Sequence, residues 1–172
     1  MAEPKIDWNT LRILIVDDDL NMRQMISGVL RNVGVSSTPM AKNVEEAYYE
    51  IENSEIDVVI VNRIMKGTDG FKFVQRIRHP EETPGPHTPI IMVSDEGSLP
   101  TVTRAIKQGV DHYMVHPLAP KDLKLTIENL LTKPPRRVRT PTFIGPCRRR
   151  LPQRVYGPYE GADRREDELV IK

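Results

Sequence analysis

Five short runs of β-branched and aliphatic residues, separated by helical patterns, limit what this chain can fold into more than any other feature. The runs are Leu11–Val16, Val33–Thr38, Asp57–Asn62, Pro89–Ser94 and Asp111–Val115. Short apolar runs bounded by polar or turn residues read as buried strands. The second run is the most polar of the five. Between the runs, Leu20–Asn32 sets Met22, Met25, Ile26, Val29 and Leu30 at helical spacing, with Gly34 behind them as a stop. Asn43–Asn53 opens on a capping residue, with Glu45 and Glu46 in its first turn. Phe71–Arg78 stops before Pro80, Leu99–Gln108 stops before Gly109, and Pro120–Leu131 opens on proline. Strands and helices that alternate in this way predict an α/β fold: a five-stranded parallel sheet with helices on both faces. Ligands in such folds gather beyond the carboxyl ends of the strands. That rule directs attention to Asp17–Asp19, Met40–Asn43, Asn62–Gly70, Ser94–Gly97 and His116–Leu118.

Charge divides the chain at the end of the fifth helical pattern. The whole chain carries a formal +1, but residues 1–132 hold 14 basic and 19 acidic side chains, a balance of −5. Residues 133–172 hold 11 basic and 5 acidic side chains, a balance of +6, together with 6 of the 15 prolines. The chain therefore reads as an N-terminal extension over 1–9, one domain over 10–132, and a basic Pro/Arg-rich tail over 133–172 expected to be disordered. One cysteine excludes an internal disulfide and argues against a cysteine zinc site. The first residues include acids and no apolar core of a signal peptide, and the longest apolar runs fall far short of the roughly 20 residues that span a bilayer. A cytoplasmic protein with no membrane association is expected.

Asp17-Asp18-Asp19 follow the first strand directly. Like charges packed at a strand end need compensation, and a hard divalent cation such as Mg²⁺ supplies it through oxygen ligands. One of the three, Asp19, is also well placed to cap the helix that begins at Leu20.

The stretch Ile13–Asp19 resembles the first strand and acidic pair of the receiver domain of bacterial response regulators. Val61–Gly70 resembles the phosphoacceptor strand and loop of that family, Pro89–Ser94 its fourth strand with a terminal hydroxyl residue, and Gly109–Leu118 its Gly-Ala-x-x-Tyr-x-x-Lys-Pro signature. The four blocks fall in order and at the family's spacing across about residues 10–132. The resemblance implies flavodoxin-like topology and a place in a two-component phosphorelay. It implies protein partners, a histidine kinase or other signalling proteins. They would dock on the face of the fourth helix, fifth strand and fifth helix, around Ala105, Tyr113 and Lys121.

Departures from the family pattern carry the functional reading. The resemblance places the phosphoacceptor at Asn62, where an amide replaces the carboxylate nucleophile and cannot form an acyl phosphate. It places the family's lysine at His116, which exchanges an ammonium of pKa about 10.4 for an imidazole of about 6.5. It places the switching residues at Ser94, Tyr113 and His116. Lys66 stands where the family has proline, which should loosen that loop. Asp17, Asp18 and the Asn62 carbonyl remain as a weak Mg²⁺ set. Adding His116 would make a set suited to a transition metal, although a ligand-free His116 before Pro117 is the plainer expectation. In the family the bond before this proline is often cis. Ser94 is expected to end its strand and bond to nearby backbone. His79, His87 and His112 read as solvated.

The expected function is thus a non-enzymatic, receiver-like signalling protein that is not phosphorylated at the usual position and acts by protein–protein interaction. One alternative is phosphorylation at another acid: Asp17, Asp18 or Asp69. Another is binding of nucleic acid or a cyclic dinucleotide through the tail. There Arg148, Arg149, Arg150, Arg164 and Arg165 form a candidate anion site, with Tyr156 and Tyr159 between them for stacking. Cys147 adjoins these arginines, whose charge favours its thiolate, though an inert exposed cysteine is the plainer reading. No helix-turn-helix pattern follows residue 132, because prolines interrupt it.

Overall fold

The second apolar run is where expectation and structure part. A computed structural model describes residues 6–83, 85–147 and 169–171. In it Val33 ends helix α1 (Leu20–Val33), and Gly34, at φ 112°, caps that helix by donating its N–H to Arg31 and Leu30 carbonyls. The second strand, β2, forms later, at Met40–Ala41. Residues 33–38 contribute a single bridge, Arg12 to Ser37. The segment does run beside the first strand, β1 (Ile13–Val16), whose Ile13 and Ile15 N–H groups bond to the Ser37 and Pro39 carbonyls. Pro39 has no N–H to return, so the ladder becomes regular only beyond it.

The remaining elements match the pattern closely. They are α2 (Val44–Asn53), β3 (Val58–Asn62), a two-strand loop of β4 (Ile64–Met65) and β5 (Thr68–Asp69), α3 (Gly70–Ile77), β6 (Ile90–Ser94), α4 (Leu99–Gln108), β7 (His112–Val115) and α5 (Pro120–Thr132). The main sheet is parallel throughout, in the order β2-β1-β3-β6-β7. This is the flavodoxin-like topology expected of the sequence. The three central strands β1, β3 and β6 are buried almost end to end, as a sheet covered on both faces requires. Alternation along them splits the core in two. Leu14, Val16, Val59, Val61, Ile90 and Met92 meet Tyr48, Phe71, Phe73, Val74 and Ala105 on the side of α2, α3 and α4. Ile13, Ile15, Val58, Ile60, Ile91 and Val93 meet Ile26, Leu30, Leu123 and Ile127 on the side of α1 and α5.

Part of the stretch expected to be a disordered tail is folded instead. After α5 the chain forms an antiparallel hairpin, β8 (Arg137–Thr140) and β9 (Phe143–Pro146), and β10 (Leu169–Ile171) pairs with the other edge of β8. Val138 and Ile144 are buried under it. The anchor is Arg78, fully buried at the end of α3. Its Nε donates to the Gly109 carbonyl at 2.9 Å, and its Nη1 to the carbonyls of Pro86 at 2.7 Å and Thr88 at 2.8 Å. Its Nη2 pairs with Asp111 Oδ2 at 2.6 Å, and its own carbonyl accepts from Ile144 N at 2.7 Å. Arg137 of β8 reaches the other Asp111 oxygen at 3.2 Å. Asp111 thus has a guanidinium on each carboxylate oxygen, so ion pairing as well as apolar burial anchors the hairpin.

Candidate functional site

The carboxyl ends of β1, β3, β6 and β7 bring the expected residues to one rim. Asp17 follows β1 and is 1% exposed. Its Oδ1 accepts from Asp19 N at 2.8 Å, while its carbonyl accepts from Arg23 Nη1 at 2.6 Å. Burial raises the Asp17 pKa above the ordinary carboxylate value, and the neighbouring charges of Asp18 and Asp19 push in the same direction. Hydrogen bonds from Asp19 and from the Asn62 side chain act against that rise. Asp19 is the cap expected for α1: its Oδ1 accepts from Asn21 N at 2.7 Å.

Asn62 ends β3, against the Asp17 carboxylate. Its Oδ1 lies 3.4 Å from Ile64 N, an acceptor contact, and its amide nitrogen is the group that can donate to Asp17. A carboxylate at position 62 would add a third negative charge beside Asp17 and Asp18; the amide adds none and has an N–H to offer. The loop after Asn62 is tied rather than loosened. Lys66 N donates to Asp18 Oδ2 at 3.1 Å, a bond that a proline at this position has no hydrogen to make. Gly67, at φ 80°, closes the turn between β4 and β5. Gly70 lets the loop return against β3, since a Cβ on it would lie 2.5 Å from the Asn62 carbonyl oxygen.

Asp17, Asp18 and the Asn62 carbonyl offer the oxygen chemistry a hard divalent ion takes, with two formal charges. Part of that capacity is already in use, since Asp18 Oδ2 and Asn62 Oδ1 accept from Lys66 and Ile64. His116 does not join them: among the described residues no three His, Cys, Asp or Glu side chains converge on one point. His116 is half-buried, its N–H bonds to the Ser94 carbonyl at 3.0 Å, and the His116–Pro117 peptide is cis. Asp69, the other acid weighed as an acceptor, caps α3: its Oδ1 accepts from Phe71 N at 2.9 Å.

Ser94 and Tyr113 are joined by two residues that sequence reasoning missed. Ser94 Oγ accepts from Glu96 N at 3.1 Å, the local backbone bond expected of it. It also accepts from Arg63 Nε at 3.0 Å. Arg63 Nη2 pairs with Glu96 Oε2 at 2.7 Å, and Tyr113 donates its hydroxyl to the Glu96 carbonyl at 2.6 Å. Hydrogen bonds from Thr101 and Ser98, and then the Arg63 charge, lower the Glu96 pKa. Nothing in the one-dimensional pattern marks Arg63, because a long side chain beside a strand end has many directions open to it.

The residues expected to face a partner are placed unevenly. Ala105 is fully buried in the core and presents nothing to a partner, whereas Leu99, Val115 and Leu125 are exposed. Tyr113 is half-buried and Lys121 exposed. His87 and His112 are exposed as expected, but His79 is half-buried, with Nδ1 at 3.8 Å from Glu82. Cys147 is half-buried, and its N–H bonds to the Arg136 carbonyl at 2.7 Å. The candidate anion residues Arg148, Arg149, Arg150, Arg164 and Arg165 lie outside the described residues. Among the described residues no helix is long and apolar enough to cross a membrane.

Comparison with known proteins agrees with this architecture. The family model of the response regulator receiver domain matches residues 13–128. A chemotaxis protein CheY homolog of Campylobacter jejuni is 33% identical over 122 residues, which cover 70% of this chain and 92% of that protein. The chemotaxis protein CheY1 of Helicobacter pylori is 31% identical, covering 70% and 97%. Among solved structures, Vibrio cholerae CheY4 superposes with a TM-score of 0.63 at 28% identity, over 69% of this chain and 97% of that one. A putative response regulator from Chloroflexus aurantiacus gives 0.64 at 27% identity, over 72% and 98%. The family-model match ends at residue 128, within α5.

Proposed function

This chain belongs to the response regulator receiver family of two-component signalling, and from that premise we propose that it is a receiver with a chemically silent phosphoacceptor position that works by binding other proteins. One observation carries the reading. The residue at the end of β3, inside the acidic pocket, is the amide Asn62. An acyl phosphate forms when a carboxylate oxygen attacks phosphorus; the amide oxygen carries only partial charge and its nitrogen lone pair is delocalised. The surroundings support the same reading, since Asp17 is buried and hydrogen-bonded, Asp18 is engaged by Lys66 N, and Asp69 caps α3.

Without a phosphoryl group, recognition falls to surface. The exposed apolar residues Leu99 and Val115, together with half-buried Tyr113 and exposed Lys121, suit a docking face for a signalling protein such as a histidine kinase. Mg²⁺, if taken up, would be held weakly by Asp17, Asp18 and the Asn62 carbonyl, where it would offset their charge. No catalytic role is assigned to the chain, and a cytoplasmic setting suits the family reading.

The test is intact-mass spectrometry of the purified full chain after incubation with acetyl phosphate and Mg²⁺. The wild-type mass is expected to stay unchanged. Asn62→Asp combined with His116→Lys is expected to gain the mass of one phosphoryl group. A phosphoryl adduct on wild-type Asp17, Asp18 or Asp69 would overturn the proposal.

A further inference from the structure

Arg63 places a guanidinium one residue from the position where the family's reactive carboxylate is missing. Its mounting is rigid. Its N–H bonds to the Val93 carbonyl at 2.9 Å, and its carbonyl accepts from Gly70 N at 2.8 Å, so both flanks of the residue are fixed before the side chain begins. The guanidinium then spans two targets on the next strand and its loop: Ser94 Oγ at 3.0 Å and Glu96 Oε2 at 2.7 Å. Ser94 is buried, and the two N–H groups it accepts, from Arg63 and Glu96, occupy both lone pairs of its hydroxyl. Glu96 is the branching point. Its Oε1 accepts from Ser98 and Thr101 hydroxyls, both at 2.7 Å, at the start of α4. Its carbonyl accepts from the Tyr113 hydroxyl at 2.6 Å.

We propose that Arg63 is an internal clamp: its guanidinium ties the end of β3 to Ser94 and Glu96, and so holds the β6–α4 loop and Tyr113 in a single arrangement with no phosphoryl group. The clamp deepens the reading of a silent receiver and rests on it. In that reading nothing covalent ever arrives to bias the loop, and the planar, multi-donor guanidinium of Arg63 takes over the task. Four links branching at Arg63 and Glu96, namely Arg63–Ser94, Arg63–Glu96, Glu96–Thr101 and Glu96–Tyr113, carry the constraint from the silent site to the docking face. Restoring an acid at position 62 therefore restores chemistry without restoring movement, as long as Arg63 keeps Ser94 and Glu96.

Hydrogen–deuterium exchange on the full chain tests the clamp without any phosphoryl donor, so an adduct found on the wild type would overturn the silent-receiver reading and leave this measurement standing. Arg63→Ala is expected to speed amide exchange over residues 94–101 and 112–115 by about tenfold or more, with α2 and α5 changed less than about twofold. Glu96→Gln keeps acceptors for Ser98 and Thr101 but loses the ion pair, and is expected to speed the same residues to a smaller extent. Equal acceleration across all helices, or unchanged exchange at 94–101 in both variants, would overturn the proposal. If Arg63→Ala does not fold, the Glu96→Gln result decides by the same criteria.

Discussion

At the carboxyl end of the main sheet Asp17 and Asp18 sit side by side with an amide, whereas at the amino end Asp111 is gripped by Arg78 and Arg137. Both ends gather charge, yet the pairing differs. Asp111 has each oxygen on an arginine, and Oδ2 also takes Ile90 N at 2.8 Å. Among the described residues no cation pairs with the Asp17 carboxylate; burial raises its pKa, and hydrogen bonds from Asp19 and Asn62 oppose the rise. Charge left unpaired costs stability and keeps a site ready for a ligand, while charge fully paired holds the fold together. The family's chemistry belongs to the first end. The addition that extends this chain beyond α5, the β8–β9 hairpin, is built on the second.

The comparison is most exposed to a substitution at Arg78. Arg78→Met removes donors from three carbonyls and from Asp111, and is expected to lower the unfolding free energy by about 3–5 kcal/mol in urea titration. A loss under about 1 kcal/mol would mean that the amino end is held by something other than its ion pairs. Gly70→Ala comes next. The added Cβ meets the Asn62 carbonyl at 2.5 Å and Arg63 Cα at 3.0 Å, both backbone. A cost of about 1–3 kcal/mol is expected, with shifted NMR resonances for Asn62 and Arg63 and undisturbed ones in β8 and β9. Retained wild-type shifts at 62 and 63 would separate the loop from the site.

The smallest effect has the opposite sign. Asp17→Asn keeps an oxygen acceptor for Asp19 N and discards a buried charge, so a gain of up to about 1 kcal/mol at neutral pH is expected. Because the Asp17 pKa is raised in the folded state, the folded chain takes up this proton before the unfolded chain does. The group's contribution is fully present below the ordinary value of 3.8 and is lost as pH rises through the raised folded value. Melting curves in a chelating buffer should show wild type gaining on the variant as pH falls from neutral toward that range. A variant less stable than wild type at neutral pH would show that the Asp17 charge is paired after all.

Much of this was readable in advance, and the failures have definite causes. The strands β1, β3 and β6 were legible because both faces are buried and their residues are apolar without a break. β2 was not, because it is two residues long and preceded by Pro39, so hydrophobicity located the turn into it rather than the strand. The hairpin was hidden by composition. Arginines and prolines read as a solvated tail, yet half-buried Arg137 pairs with Asp111, and Val138, Ile144 and Pro146 are buried there. Asp19 and Asn62 were found at the site because a strand end fixes where short side chains can go. Arg63 and Glu96 were missed because long side chains choose their targets only after the loops are placed.

The sequence by itself determined the doubly covered parallel sheet and set the amide Asn62 at the end of its third apolar run, since periodicity and side-chain identity need no coordinates. Tertiary structure alone decided what the arginines do. Arg78 is buried because a hairpin distant in sequence folds over it, and Arg63 points at Ser94 and Glu96 because its backbone is held between Val93 and Gly70. A short side chain inherits its position from its own backbone, but a guanidinium several bonds away takes its position from whichever acceptors the finished packing leaves within reach.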